Sequence, residues 1–219
     1  MHPAINHPWN LTPSQARELQ LELRNQVIKR DRFDPPRWVA GVDVGFEGRG
    51  SITRAAVVVL NYPDLQLIDQ AVARQPTRFP YVPGLLSFRE IPAILEAMDK
   101  LRQIPDMLLC DGQGLAHPRR FGMACHLGLL CDLPAIGVAK SRLIGHHGRL
   151  PDHKGAWVPL LDQEEVIGAV LRTRQRVKPL YISIGHRISL ANAIHYTLAC
   201  TTRYKLPETT RAAHRLASG

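Results

Sequence analysis

Cysteine is scarce in this chain. Its 219 residues include four: Cys110, Cys125, Cys131 and Cys200. None forms a CxxC pair and three sit in apolar surroundings, so they read as small core residues of a reducing compartment. A zinc site from Cys125, His126 and Cys131 would have no standard ligand spacing. Long apolar runs are missing too. None approaches the ~20 residues needed to span a bilayer, which excludes a helical membrane protein. Met1–Asn10 lacks the basic-then-apolar layout of a signal peptide, so a cytoplasmic location is the expectation. Internal repeats, low-complexity tracts and linkers are absent. With 45% hydrophobic and 21% charged residues, one domain over residues 1–219 is the simplest organisation.

Acidic residues are the scarce charge of the second half. Residues 1–111 hold 13 Lys/Arg and 13 Asp/Glu, whereas residues 112–219 hold 15 and 6, so the net charge of +9 resides in the second half. A basic surface of this asymmetry favours a polyanionic partner, nucleic acid above all.

What is there reads as a mixed α/β plan. Thr12, Pro13 and Gln15 form a capping box for a helix whose apolar face is Ala16, Leu19, Leu23 and Val27. Trp38–Gly45 is a strand carrying Asp43 inside an otherwise apolar run. A charge there costs several kcal/mol unless it is paired or binds a cation. Ala55–Leu60 is continuously apolar, the pattern of a strand covered on both faces, and Leu65–Arg74 is a third strand. Ser87 and Glu90 have the spacing of a second capping box, opening a helix to about Gln103. Met107–Cys110 is a short buried strand that stops at Asp111, followed by Gly112 and Gly114. Such an acid at a strand end faces a crevice, although Asp-Gly alone is also a turn signal. A helix over Arg119–Cys131 and a strand Ala135–Ala139 lead to Lys140. Trp157–Leu160, Val166–Thr173 and Pro179–Ile184 are further strands. Arg172, Arg174, Arg176 and Lys178 alternate between the last two, as a phosphate-facing edge or an edge protected by charge. Helices capped by Ser189 and starting near Pro207 close the chain. The second carries His214, a type of position more often surface than ligand.

Two segments bear on chemistry. Phe79–Gly84 is stiffened by Pro80 and Pro83 and presents Tyr81 between them, so it is neither a helix nor a central strand. A rigid aromatic tip suits insertion into stacked bases, and equally suits an ordinary ordered loop. Asp43 and Asp111 meet if their strands are neighbours. Close carboxylates need a counter-charge, and Mg²⁺ takes one or two carboxylates plus phosphate oxygens. In a basic protein the bases then hold phosphates and the acids hold metal, which makes metal-assisted phosphodiester cleavage the leading reaction class.

Five ordered motifs carry a family resemblance: Gly41–Gly45, Pro80–Gly84, Leu86–Glu90, Asp111–Gly114 with His117–Arg120, and Ile136–Lys140. Gly185–Leu190 and Leu206–Arg211 continue it in order. The chain resembles endonuclease V over nearly all its length after the first helix. That resemblance implies a ribonuclease H-like α/β fold, a mixed central sheet flanked by helices. It implies a monomeric repair nuclease for DNA with deaminated bases, chiefly deoxyinosine. Such an enzyme cuts the second phosphodiester bond 3′ to the lesion, leaves 3′-hydroxyl and 5′-phosphate ends, and uses Mg²⁺ with Mn²⁺ as substitute. Asp43, Glu90 and Asp111 become the metal ligands, joined as catalytic residues by Lys140 at the phosphate and by His214. Tyr81 with Pro80 and Pro83 forms the wedge. Gly84, Gly112 and Gly114 wall a pocket for the extruded base, and His117 and Arg119 contact DNA. The family often has histidine at Gln113 and isoleucine at Val82. The alternatives are a nuclease for inosine-containing RNA or for branched or single-stranded substrates, and a binding module without catalysis.

Overall fold

The computed structural model describes residues 4–219. Its centre is an eight-stranded mixed sheet of order β3-β2-β1-β4-β5-β8-β7-β6. The strands are β1 (Trp38–Glu47), β2 (Ile52–Asn61), β3 (Leu67–Pro76), β4 (Met107–Cys110), β5 (Ala135–Ala139), β6 (Trp157–Asp162), β7 (Glu165–Leu171) and β8 (Leu180–His186). β1, β2 and β3 form an antiparallel meander, β1, β4 and β5 run parallel, and β8, β7 and β6 return antiparallel. The helices are α1 (Pro13–Leu23), α2 (Leu86–Asp99), α3 (Met123–Cys131), α4 (Leu190–Ala199) and α5 (Glu208–Ser218). None of them is long and apolar enough to cross a membrane.

Two apolar layers explain the unbroken hydrophobic runs. Ala40, Val42, Leu108 and Cys110 face α2 and α3 through Ile91, Ile94, Leu127 and Leu130. Val39, Met107, Leu109 and Ile136 face the other way, toward Ala193 of α4 and Ala213 of α5. A strand covered on both sides has no polar face, and β4 is buried at all its positions.

Several boundaries differ from the sequence expectation. The capping box of α1 is present, but the helix ends at Leu23 and a 3₁₀ turn, Arg24–Gln26, leaves Val27 extended. β1 and β2 reach Glu47 and Ile52, because a tight 3₁₀ turn at Gly48–Gly50 joins them. α3 starts at Met123, since residues 119–122 remain irregular. His186 belongs to β8 rather than to the turn after it. α2 ends at Asp99, and its N-cap is Leu85, not Ser87. Ser87 and Glu90 therefore make no capping box. Both side chains are used elsewhere.

Candidate active site

Strand register brings the acids together. Val42 of β1 lies opposite Cys110 of parallel β4, so Asp43 and Asp111 follow at one level. α5 then lies against β1 backbone to backbone. A Cβ on Gly41 would stand 2.0 Å from the Thr209 carbonyl oxygen, and one on Gly45 2.5 Å from that of Ala217. These glycines flank Asp43 on its own face of the strand, and their bareness lets His214 reach it. The His214 Nδ1 is 2.7 Å from Asp43 Oδ2. A neutral His214 donating there keeps its Nε2 lone pair free. Asp43 Oδ1 accepts from the Val44 amide at 2.8 Å. Lys140, just past β5, donates to Asp111 Oδ2.

Asp43, Asp111 and His214 each offer a ligand atom, and these atoms all lie within 4.8 Å of one another. Glu90 approaches from α2, on the other side of the sheet, and stands outside that tight set. Its environment still reports the acids: burial, then the charges of Asp43 and Asp111, push its carboxyl up to about 8. Burial also raises Asp111, with Asp43 adding to the rise and the Lys140 hydrogen bond opposing it. Asp43, Glu90 and Asp111 share one bonded lysine, so ionising all three leaves negative charge uncompensated. An oxygen-rich set of that kind fits a hard divalent cation such as Mg²⁺ or Mn²⁺.

The acids open into a cavity of about 400 Å³ whose lining includes Glu90, Asp111, Gly112, Lys140, Tyr81 and Gly84. Tyr81 stands at its rim, 69% exposed, so the ring does not pack on the core. Pro83 also lines this cavity, whereas Pro80 faces a larger groove, about 890 Å³, on the other side of α2. The acid in that groove, Glu96, is already paired with Lys100.

Gly114 does not wall the cavity. A Cβ on it would meet the Ile184 carbonyl oxygen at 2.0 Å, and its amide is already donating to Ser183 Oγ at 2.8 Å. Close packing of the loop on β8 is what requires glycine there. His117 and Arg119 likewise do not point free cations outward. His117 Nε2 and Arg119 Nη2 donate to the Gly84 carbonyl at 3.0 and 2.8 Å, and Gln20 Nε2 joins them at 3.1 Å. Arg119 Nε donates to Gln20 Oε1 at 2.5 Å, which closes the clamp. His117 Nδ1 accepts from the Arg119 amide at 3.2 Å, so its ring is neutral, and burial followed by Arg119 lowers it to about 4. Gly84 itself has φ +78, a backbone that favours glycine. His117 and Arg119 thus brace the loop that carries Tyr81.

Ser87 is tied to the N-terminal segment by a chain of neutral groups. The Pro8 carbonyl only accepts, so His7 Nδ1 donates to it at 3.0 Å. His7 Nε2 then accepts from His126 Nε2 at 2.8 Å, and His126 Nδ1 accepts from the Ser87 hydroxyl at 3.0 Å. Burial lowers both histidines, His126 far below its usual range. This occupies His126 and rules out its use with Cys125 and Cys131 as a zinc ligand. Gln20 and His7 are site-building residues that sequence patterns did not flag, and such a role was not read for His126, Gly41 or Gly45. The Gly-x-Asp-x-Gly spacing was the available signal for the last two.

The family model described as Endonuclease V matches residues 21–215. The endonuclease V of Trichormus variabilis is 60% identical over 213 residues, 97% of this chain and 96% of its own. That of Roseiflexus castenholzii is 58% identical, covering 100% and 97%. The crystal structure of Streptomyces avermitilis endonuclease V superposes with a TM-score of 0.92 at 44% identity, over 98% of this chain and 95% of that one. A Ciona intestinalis endonuclease V, solved with a 23mer DNA containing an inosine followed by a ribo-adenosine, superposes at 0.83 with 28% identity, covering 95% and 97%. With the family model matched over most of its length and relatives and a solved structure covered nearly end to end, the chain belongs to the endonuclease V family.

Proposed function

We propose that the chain is a single-domain, monomeric, cytoplasmic repair endonuclease that nicks DNA at the second phosphodiester bond 3′ to a deaminated base, chiefly deoxyinosine. The observation that carries this is the set Asp43, Asp111 and His214, drawn within 4.8 Å beside a cavity of about 400 Å³. The Ciona relative bound to inosine-containing DNA supports the substrate class. Asp43, Glu90 and Asp111 would hold Mg²⁺ or Mn²⁺. When bound, that cation supplies Lewis-acid stabilisation of the phosphoryl group and a more acidic water. The chain supplies the rest. Gly84 and Gly112 leave room for an extruded base, at lower cost for a mispaired than a paired nucleotide. Tyr81 with Pro83 fills the stack it leaves. His214 orients Asp43, and Lys140 neutralises the phosphate as it leaves Asp111.

The test is incubation with an end-labelled duplex carrying one deoxyinosine, with Mg²⁺, Mn²⁺ or EDTA, and mapping of the nick. A metal-dependent nick one nucleotide beyond the lesion, ending in 3′-hydroxyl, is expected. Tight binding without a product in either metal would overturn the reading in favour of a binding module, and faster cleavage of an inosine-containing RNA strand would move the substrate to RNA.

A further inference from the structure

The site described uses β1, β4 and β5. The same end of the sheet continues through β8 and β7, and carries charge that the mechanism leaves unused. Ala139 lies opposite Tyr181, and Leu171 opposite Leu180. Lys140, Lys178 and the Arg172–Arg174 segment therefore leave or enter the sheet side by side. A second loop is stitched to them. Thr173 Oγ1 donates to the Lys205 carbonyl at 2.6 Å, and Arg174 Nη1 to that of Arg203 at 3.1 Å. Tyr204, between those two residues, holds the Arg211 guanidinium 3.6 Å from its ring centroid.

These cations are not equivalent. Arg172 is spent on Asp152, 3.5 Å away, and on backbone carbonyls, and Arg211 on Glu208 at 2.6 Å. Among the described residues Arg174, Lys178, Arg203 and Lys205 have no carboxylate within ion-pair distance. Lys205 bridges the two groups: burial, then Lys178 and Lys140, lower its ammonium, so it feels both. β7 is an interior strand, between β8 and β6, so edge protection does not account for the charges at its exit.

We infer that Lys205, Lys178, Arg174 and Arg203 form a phosphate track that continues the cleavage site along the end of the sheet and grips the backbone of the nucleic acid away from the lesion. From β4 to β7 is three strand spacings, about 14 Å. A strand of B-form DNA advances about 3.4 Å per phosphate, so the track serves roughly four nucleotides. The inference rests on the nuclease reading above.

The experiment compares wild type with Arg174→Gln/Lys178→Gln, both exposed positions outside the acid cluster, and with Lys100→Gln/Arg102→Gln. That second pair removes the same charge at the opposite end of the sheet, after α2. Affinity for the deoxyinosine duplex is measured across a salt series, with steady-state nicking alongside. In the track variant the slope of log affinity against log salt should shrink by about 2, at ~0.9 per phosphate contact. KM should rise about tenfold at physiological salt, with kcat within twofold of wild type. The control pair should leave the slope unchanged. An unchanged slope in the track variant, or an equal loss in the control pair, overturns the track. Failure of wild type to nick at all instead removes the nuclease reading, and is seen in the same series.

Discussion

Two polar clusters meet around α2 and are built on opposite rules. On one side His7, His126 and Ser87, and then Gln20, His117 and Arg119 around Gly84, are neutral or singly charged groups in which the named donors meet acceptors. On the other, Asp43, Glu90 and Asp111 crowd like charges with Lys140 as their bonded lysine. A satisfied buried network rigidifies a fold, whereas crowded carboxylates work against it unless something outside the chain completes them. The first cluster is architecture. The second is a deficit of positive charge that a bound cation would make up.

The largest test of that contrast is Glu90→Gln. It keeps the shape of the side chain and removes a carboxyl that can ionise only when a positive charge arrives beside Asp43 and Asp111. Nicking of the deoxyinosine duplex should fall roughly 100- to 1,000-fold, the scale on which a lost electrostatic contact at a reacting centre acts. The metal-free melting temperature should stay level or rise, because the amide avoids the penalty of burying an ionisable carboxyl beside two acids. A variant that loses both activity and several degrees of stability would place Glu90 with the architecture instead.

The contrast also explains what could be read from sequence. An apolar run interrupted by Asp43 and one that stops at Asp111 are local patterns, and the strand register did bring the two acids level. The mixed sheet followed from those same runs. The partners of the site are not local. His214 meets Asp43 across 171 positions, His7 meets His126 across 119, and Gln20 meets Gly84 across 64, so no spacing rule displays them. Ser87 was misread for a related reason. Ser-x-x-Glu is a helix-start pattern, but the helix begins at Leu86, so Ser87 turns to His126 and Glu90 lies buried beside the acids. Gly114 looked like pocket wall because a glycine's reason is set by what passes beside it, in this case the backbone at Ile184.

The neutral cluster has its own signature in pH. His117 is lowered in the fold to about 4. The unfolded chain then binds the extra proton between its ordinary pKa and that value, so stability is present near neutrality and is lost as pH falls below about 6.5. Between pH 7 and 5 this one group removes on the order of 2 kcal/mol, and His7 and His126 act in the same direction. Glu90, raised in the fold, acts oppositely over this range, because its penalty is relieved as it protonates. The clean measurement is therefore a difference. Denaturant unfolding at pH 7 and 5 should show wild type losing about 2 kcal/mol more than His117→Gln, in which the titrating ring is gone. Equal losses would mean that His117 is not held neutral by its two bonds.

The smallest expected effect isolates the brace on the loop that carries Tyr81. In Gln20→Glu the side chain keeps its length and can still accept from Arg119 Nε, but loses its donors to the carbonyls of Gly84 and Phe121. Gly84 retains His117 and Arg119, while the Phe121 carbonyl faces a carboxylate. One buried acceptor left without its donor costs about 1–3 kcal/mol, so unfolding free energy should fall by that amount. The acid cluster is untouched, so kcat should hold while KM for the deoxyinosine duplex rises severalfold, because the loop that presents Tyr81 is less well placed. A fall in kcat with KM unchanged would join Gln20 to the reacting cluster and erase the boundary between the two.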